Sequence, residues 1–329
     1  MSKRRGGYPR SMALATGLAG EYRVLTEGCA LVDRSDRGKL ALTGSDAKSF
    51  LQGQTTNDVE ALTPGRGCYA AFLTAKGKML GDLRVIDSGE ELWLDTERVA
   101  LQPLFNMINA YKLAADVVLH KRTLEQALFS LIGPQARVVA GAKGLGAGEH
   151  DNGTAEIRGV AALLVATDTG VDVICAAERA HEMRAALVAG GAEEVSPAAA
   201  EMLRVERGRP RYGKEMDEAT IPQEAGINDR AVSFEKGCYV GQETVARLHY
   251  RGKPNRRLRG LALSEPGSDG EELWLAERAV GTIGTAVVSP RLGPIALALV
   301  RREAAPGDTL RVAAEGRSAM VVELPFDAV

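Results

Sequence analysis

The chain predicts an α+β protein built from several domains, and three observations carry that expectation. Its 329 residues exceed what one small core organises, at about 100–200 residues per domain. A β-α-β-β-α order occupies the middle, from 127 to 189. From 257 onward, short strands alternate with Gly/Pro turns, the pattern of a small antiparallel β-barrel. Hydrophobic residues at 45% and charged residues at 26% match ordinary globular proteins, which excludes long disordered stretches.

The elements follow in chain order. Lys3, Arg4, Arg5 and Arg10 precede a mildly apolar stretch over 11–20 that faintly imitates a signal peptide. Thr16, Gly17 and Gly20 break its apolar part, so 1–24 reads as a basic flexible tail. Residues 39–42 alternate as a strand ending at Thr43-Gly44, and Ser45 is placed to cap a helix that buries Ala47, Phe50 and Leu51. A strand over 68–73 comes next, then strands 79–86 and 91–95 as a hairpin with Gly89 in the turn. Apolar residues at 99, 101, 104, 105, 108 and 111 predict a helix over 98–111.

In the middle, strand 127–132, helix 134–142, strands 159–166 and 170–175 and helix 177–189 make a ferredoxin-like unit, placed at 121–196. It interrupts a discontinuous domain, 25–120 plus 197–250. Helix 197–207 leads into 208–236, which has no clear periodicity and is long enough to be functional or disordered. The barrel domain, 251–329, takes strands 257–264, 279–288, 293–300, 309–314 and 318–324.

Composition removes several function classes. A net charge of −2 gives no global attraction to nucleic acid or membrane, so an anion site has to come from local clustering. No run of about 18 apolar residues exists to span a bilayer. Cys29, Cys68, Cys175 and Cys238 form no C-x-x-C pair, which argues against zinc knuckles, iron–sulfur ligation and a disulfide framework and fits a reducing cytoplasm. The four histidines are scattered, there is no Gly-x-Ser-x-Gly elbow, and Gly144-Leu-Gly-Ala-Gly148 fails the dinucleotide spacing because Glu149 stands where the last glycine belongs.

What remains is local. Lys236-Gly-Cys-Tyr-Val-Gly-Gln-Glu243 packs an amine, a thiol and an aromatic ring between two glycines, ahead of a helix beginning at Gln242. A cysteine just before a helix N-terminus with a lysine nearby is in an electropositive setting that favours thiolate; a packed cysteine in a tight turn is the alternative. Six basic residues fall within 247–259, among them Arg247 and Arg251, with no acid between Glu243 and Glu265. They make either a local anion site or a solvated face. Glu206, at a helix end before Gly208 and Pro210, can accept two hydrogen bonds from an amidine-like edge or pair with Arg204 or Arg207. Asp82 on its strand is either outward and solubilising or buried with a raised pKa.

These pieces together resemble the YgfZ family of folate-binding proteins, relatives of the glycine cleavage T-protein, an aminomethyltransferase. The resemblance rests on Leu42-Thr-Gly-Ser-Asp-Ala-Lys-Ser-Phe-Leu-Gln52, Ala75-Lys-Gly-Lys-Met79, Arg204-Val-Glu-Arg-Gly-Arg-Pro210 and the octapeptide followed by Val245-Ala-Arg247, across roughly 25–325. It implies a T-protein-like three-domain ring with tetrahydrofolate, or a one-carbon derivative, in its central opening. It implies support for iron–sulfur enzymes or their assembly proteins, including enzymes that modify tRNA. Glu206 matches the pterin-contacting glutamate, and Lys236 and Cys238 match the family's functional lysine and cysteine. Where the T-protein has a pair of strand acids this chain has Gly81-Asp82, and where some relatives use folate-pocket tryptophans it has Arg37 and Ala200 nearby.

On that reading Glu206 clamps the pterin, with Asp82, Arg204, Tyr239 and Gln242 as further contacts. Arg247 and Arg251 receive the glutamyl tail, and Cys238, with Lys236, acts as nucleophile, redox thiol or transient acceptor. A cytoplasmic monomer that binds neither membrane nor nucleic acid is expected. Two alternatives stay open: a one-carbon transferase or demethylase of a small amine, which needs a carboxylate base, and a folate-sensing scaffold without chemistry.

Overall fold

A computed structural model describes residues 17–313 and 316–326. Residues 1–16 of the expected tail, and Ala314 of the expected 309–314 strand, lie outside that range. Residues 18–24, also assigned to the tail, are helical: α1 is Leu18–Glu27. After β1 (Ala30–Asp33) come β2 (Gly38–Thr43), α2 (Ala47–Gln54), β3 (Arg66–Leu73), β4 (Met79–Asp87), β5 (Leu92–Thr96), α3 (Leu101–Tyr111) and β6 (Val118–Lys121). Five of these strands form an antiparallel sheet in the order β3-β4-β5-β2-β6. α2 starts after Asp46, not on a Ser45 cap. The Ser45 hydroxyl instead bonds Asp116 Oδ2 at 2.9 Å, a partner 71 residues away that local spacing cannot reveal.

The middle unit holds β7 (Gln126–Ile132), the single turn α4 (Ala136–Val139), β8 (Asn152–Ile157), β9 (Val160–Thr167), β10 (Gly170–Ala176), α5 (Ala180–Ala189) and β11 (Glu193–Glu194). Its sheet runs β11-β1-β7-β10-β9-β8, so β1 reaches in from the start of the chain and pairs antiparallel with β7, Ala30 opposite Ile132. β8 escapes a search for apolar alternation because it is an edge strand with Thr154 and Glu156 exposed.

Next come α6 (Pro197–Glu206), the single turn α7 (Asn228–Ala231) and α8 (Gln242–Arg251). α6 begins as its sequence demands, with Pro197 in the first turn and the Ser196 hydroxyl accepting from the Ala199 N–H at 3.3 Å. β12 (Arg256–Leu263), β13 (Glu272–Leu275), β14 (Arg278–Ser289), β15 (Gly293–Arg301), β16 (Thr309–Val312) and β17 (Arg317–Val322) close into a barrel, β12-β15-β14-β13-β16-β17. Among the described residues no helix is long and apolar enough to cross a membrane.

Each unit has its own apolar core, and three smaller clusters join them. Ile86 and Trp93 of the first sheet pack with Leu128, Leu163, Val165 and Ile174 of the second. Val205 of α6 packs with Ile295, Leu297 and Phe326, tying the barrel to the helix. Burying one such side chain contributes about 1.5–3 kcal/mol, so these seams fix how the units sit around the space between them.

The octapeptide closes against the first sheet at Gly241, the N-cap of α8, with φ +85°. A Cβ there would stand 2.6 Å from the Thr74 carbonyl oxygen, in the turn between β3 and β4. Gly241→Ala is therefore expected to destabilise the protein by about 2–4 kcal/mol, combining left-handed strain with a backbone clash. Chemical denaturation checks this, and a loss under about 0.5 kcal/mol would contradict the packing.

Candidate functional site

A cavity of about 210 Å³ opens where the two sheets and α6 meet, and its wall is dominated by arginines and carboxylates. The first sheet contributes Tyr69, Asp82 and Arg84, the second Ser130 and Asp172, and α6 Ala200 and Arg204. Three buried ion pairs brace it. Arg84 donates from Nε to Asp95 Oδ2 at 2.7 Å and from Nη1 to Asp172 Oδ2 at 2.6 Å, spanning the sheets. Arg37 adds two bonds to the same Asp95 carboxylate, at 2.8 and 2.9 Å. Burial alone would raise the Asp95 carboxyl, but Arg37 and Arg84 bring it well below the usual carboxylate range.

Asp82 is the acid of this wall that Tyr69 holds. It is 8% exposed, and its Oδ2 accepts a hydrogen bond from the Tyr69 hydroxyl at 2.6 Å. Burial pushes its carboxyl up to about 6, against the downward pull of the Tyr69 bond. Burial and the adjacent carboxylate push the Tyr69 hydroxyl well above its ordinary value, so it stays a donor. The Arg230 guanidinium lies over the Tyr69 ring, 5.0 Å from its centre. A carboxylate poised near neutrality in a cation-rich cavity can take up and return a proton. Gly81, where a second acid would stand in the T-protein pattern, faces the Phe72 ring and the Ala100 methyl; a Cβ would come within 2.6 Å of both.

The other expected contacts divide. Arg204 lines the cavity, yet its guanidinium is engaged by Glu215 at 3.0 Å, Glu201 at 2.7 Å and the Thr285 hydroxyl at 2.8 Å, linking α6 to the barrel. Glu206, expected as the pterin clamp, does not line this cavity. Helical period turns Ala200, Leu203, Arg204 and Arg207 toward the cavity and Met202, Val205 and Glu206 away from it. The Glu206 carboxylate instead accepts from Tyr22 of α1 at 2.8 Å, from the Ser289 hydroxyl and from Arg291 at 3.5 Å. Arg37 and Ala200 do both line the chamber.

None of the octapeptide lines it. Lys236 is 8% exposed, and its ammonium donates to the carbonyls of Gln52 at 2.6 Å, Thr55 at 2.8 Å and Asn57 at 2.7 Å. Burial lowers its pKa to about 8. Three carbonyl acceptors need three N–H donors, which the charged form alone supplies. Tyr239 is buried in the first core beneath this ammonium, its ring 5.2 Å away. Cys238 is exposed, whereas burial pushes the thiols of Cys29 and Cys175 up to about 11 and that of Cys68 up to about 12. Around Cys238, the Lys236 ammonium is committed to three carbonyls, and α8 starts four residues further on, beyond Gly241.

Gln242 opens α8, and Arg247 and Arg251 lie exposed on it, outside the cavity. The basic run is thus half helix and half strand. Arg256 pairs with Glu224 at 2.9 Å and Arg259 with Glu323 at 2.5 Å, while among the described residues Arg247, Arg251, Lys253 and Arg257 have no carboxylate partner.

Sequence reasoning missed Tyr69, Arg34, Arg84, Arg230 and His150, all of which line the cavity. Arg84 had a signal: a charge inside the otherwise apolar Leu83-Arg-Val-Ile86. Tyr69, Arg34, Arg230 and His150 are brought together by pairing between distant segments, and no spacing in the chain announces them.

The GCVT N-terminal domain family matches residues 3–236, and the glycine cleavage T-protein C-terminal barrel domain matches 256–327. The chain is 30% identical to the aminomethyltransferase of Bacillus subtilis, over 93% of this chain and 90% of that protein. It is 30% identical to the tRNA-modifying protein YgfZ of Yersinia pestis, over 96% of this chain and 98% of that one. The crystal structure of the glycine cleavage system aminomethyltransferase T from Bartonella henselae superposes with a TM-score of 0.83, covering 95% of this chain and 90% of that one at 23% identity, which shows a common fold.

Proposed function

Because the chain belongs to the glycine cleavage T-protein family, as a YgfZ-like relative of the aminomethyltransferases, we propose that it binds tetrahydrofolate or a one-carbon derivative in the central cavity and, through it, supports iron–sulfur enzymes, including ones that modify tRNA. The observation that carries the reading is the buried Asp82 carboxylate held by Tyr69 in that cavity. The wall fits such a ligand: a pterin edge offers N–H donors, and Asp82 supplies a buried acceptor with a free oxygen. When bound, the folate supplies a nitrogen that carries a one-carbon unit. Tyr69 fixes the orientation of Asp82, and Asp82, ionised at neutral pH, receives a proton from whatever group is seated against it. Cys238, exposed and outside the cavity, serves as the thiol that meets a partner iron–sulfur enzyme or assembly protein in a reducing cytoplasm.

Asp82 makes the stability profile testable. Its folded-state value near 6 lies above its ordinary 3.8, so between these values the folded protein holds more protons than the unfolded chain. Stability therefore falls as pH rises through that window, by about 3 kcal/mol in total. Asp82→Asn removes this contribution. The stability of the wild type minus that of the variant, from urea denaturation, is expected to decline between about pH 4 and pH 6; a flat difference refutes the assignment.

A transferase or demethylase of a small amine is the second reading, and the base-like setting of Asp82 favours it. Restoring iron–sulfur enzyme activity in cells that lack the protein separates the two. Loss with Cys238→Ala supports the iron–sulfur role. Full restoration by Cys238→Ala with none by Asp82→Asn supports the transferase, and full restoration by both leaves a folate-sensing scaffold.

A further inference from the structure

The cavity contains two polar groups that the protein itself leaves without partners. Every other arginine in its wall has a carboxylate, as Arg37 and Arg84 have Asp95, Arg209 has Asp168 and Arg230 has Glu149. Among the described residues the Arg34 guanidinium has neither a hydrogen-bond acceptor nor an ion-pair partner. Its backbone is fixed, with its N–H donating to the Leu128 carbonyl at 2.9 Å, so the cation is held at the chamber. Burial lowers its pKa, against the opposing pull of Asp172 and Glu97.

The second group is His150. It is 6% exposed, and neither ring nitrogen has a hydrogen-bond partner among the described residues; Nδ1 is fully enclosed and Nε2 stands 3.8 Å from Glu149 Oε1. Burial and the nearby Arg84 and Arg230 push its pKa down to about 3, so the ring is neutral. Its place is built rather than incidental. The backbone is left-handed, with φ 71°, and is held by an N–H bond to the Ala166 carbonyl at 2.8 Å. Gly67 on β3 makes room for it, since a Cβ there would come within 2.9 Å of the His150 Cβ and carbonyl oxygen. Arg34 and His150 both line the chamber, with Arg84 and Asp172 in the same wall.

We propose that Arg34 and His150 form a carboxylate-binding subsite of the central cavity, the guanidinium pairing with a monoanionic carboxylate and the neutral imidazole hydrogen-bonding beside it. One unpaired cation flanked by Asp172 and Glu97 balances a single negative charge; a phosphate dianion would meet repulsion from both acids. The carboxylate belongs either to the glutamate of a folate or to a separate small acid. The inference rests on the cavity being the ligand chamber, and its test distinguishes that premise from the subsite.

Tetrahydrofolate, tetrahydropteroate (which lacks the glutamate) and acetate are titrated calorimetrically into the full-length wild type, Arg34→Gln and His150→Asn, asparagine being chosen because it tolerates the left-handed backbone. If the carboxylate is the folate's own, Arg34→Gln weakens tetrahydrofolate about tenfold or more and leaves tetrahydropteroate unchanged. If it is a separate acid, both folates bind as before and acetate binding is lost. In either case His150→Asn reproduces the loss in part, and ligand-free Arg34→Gln melts at or above the wild-type temperature, because a guanidinium without a hydrogen-bond or ion-pair partner has gone. Unchanged binding of all three ligands to Arg34→Gln, or a lower melting temperature for that variant, overturns the subsite. A wild type that binds neither folate refutes the folate reading alone, provided that Arg34-dependent acetate binding persists.

Discussion

Lys236→Met is expected to destabilise the protein by about 3–5 kcal/mol, with a matching fall in melting temperature and no ligand present. The ammonium is the common donor to the carbonyls of Gln52, Thr55 and Asn57. Gln52 belongs to the last turn of α2, whose carbonyls have no partner within the helix. Methionine keeps the apolar stem against Tyr239 but leaves buried acceptors unsatisfied, at about 1–3 kcal/mol for each that water cannot reach. A lysine acting only in chemistry would lose function and keep its melting temperature. Denaturation of the free protein therefore separates the two roles, and an unchanged midpoint would return Lys236 to the list of reactive groups.

Asp95→Ala is expected to cost about 3–5 kcal/mol, because it removes the carboxylate shared by two largely buried guanidinium groups and leaves Arg37 with Glu97 alone and Arg84 with Asp172 alone. Arg84 also crosses to Asp172, so its loss of order loosens the seam between the two sheets and with it the cavity wall. Burial opposes ionisation of Asp95, but the two arginines win and hold it below its ordinary 3.8. Its contribution is therefore present above that value and lost as pH falls beneath it, the reverse of the Asp82 trend. Urea denaturation at pH 7 checks the magnitude, and a variant within about 1 kcal/mol of the wild type would show that the pairs are replaceable by water.

The architecture was legible where residues bury with a regular period. The hairpin of β4 and β5, the α6 start at Ser196-Pro197 and the barrel strands other than β13 follow from alternation and turn chemistry. β1 and β8 were not, since the first pairs with β7 about a hundred residues away and the second is an edge strand with few apolar residues. The site was legible only in part, for the same reason. Asp82 was named, with a raised pKa as one of two options, because a strand acid among apolar residues is visible in one dimension. Its partner Tyr69 is set by the register of β3 on β4, where Ala71 faces Asp82 and Tyr69 faces Arg84. Glu206 looked like a ligand clamp from its helix end, yet the face it presents depends on where α1 and the barrel dock. The octapeptide drew notice for its composition. Its lysine and its second glycine turn out to serve the fold, leaving Cys238 as its exposed chemical group.

The central claim is that the Asp82–Tyr69 pair marks the folate chamber and that Glu206 lies outside it. Calorimetric titration of tetrahydrofolate into the wild type, Asp82→Asn and Glu206→Ala tests it most directly. The account predicts saturable binding to the wild type, affinity weakened about tenfold or more in Asp82→Asn, and near wild-type affinity in folded Glu206→Ala. Equal affinity in Asp82→Asn, or binding abolished by Glu206→Ala in a protein that remains folded, would contradict it.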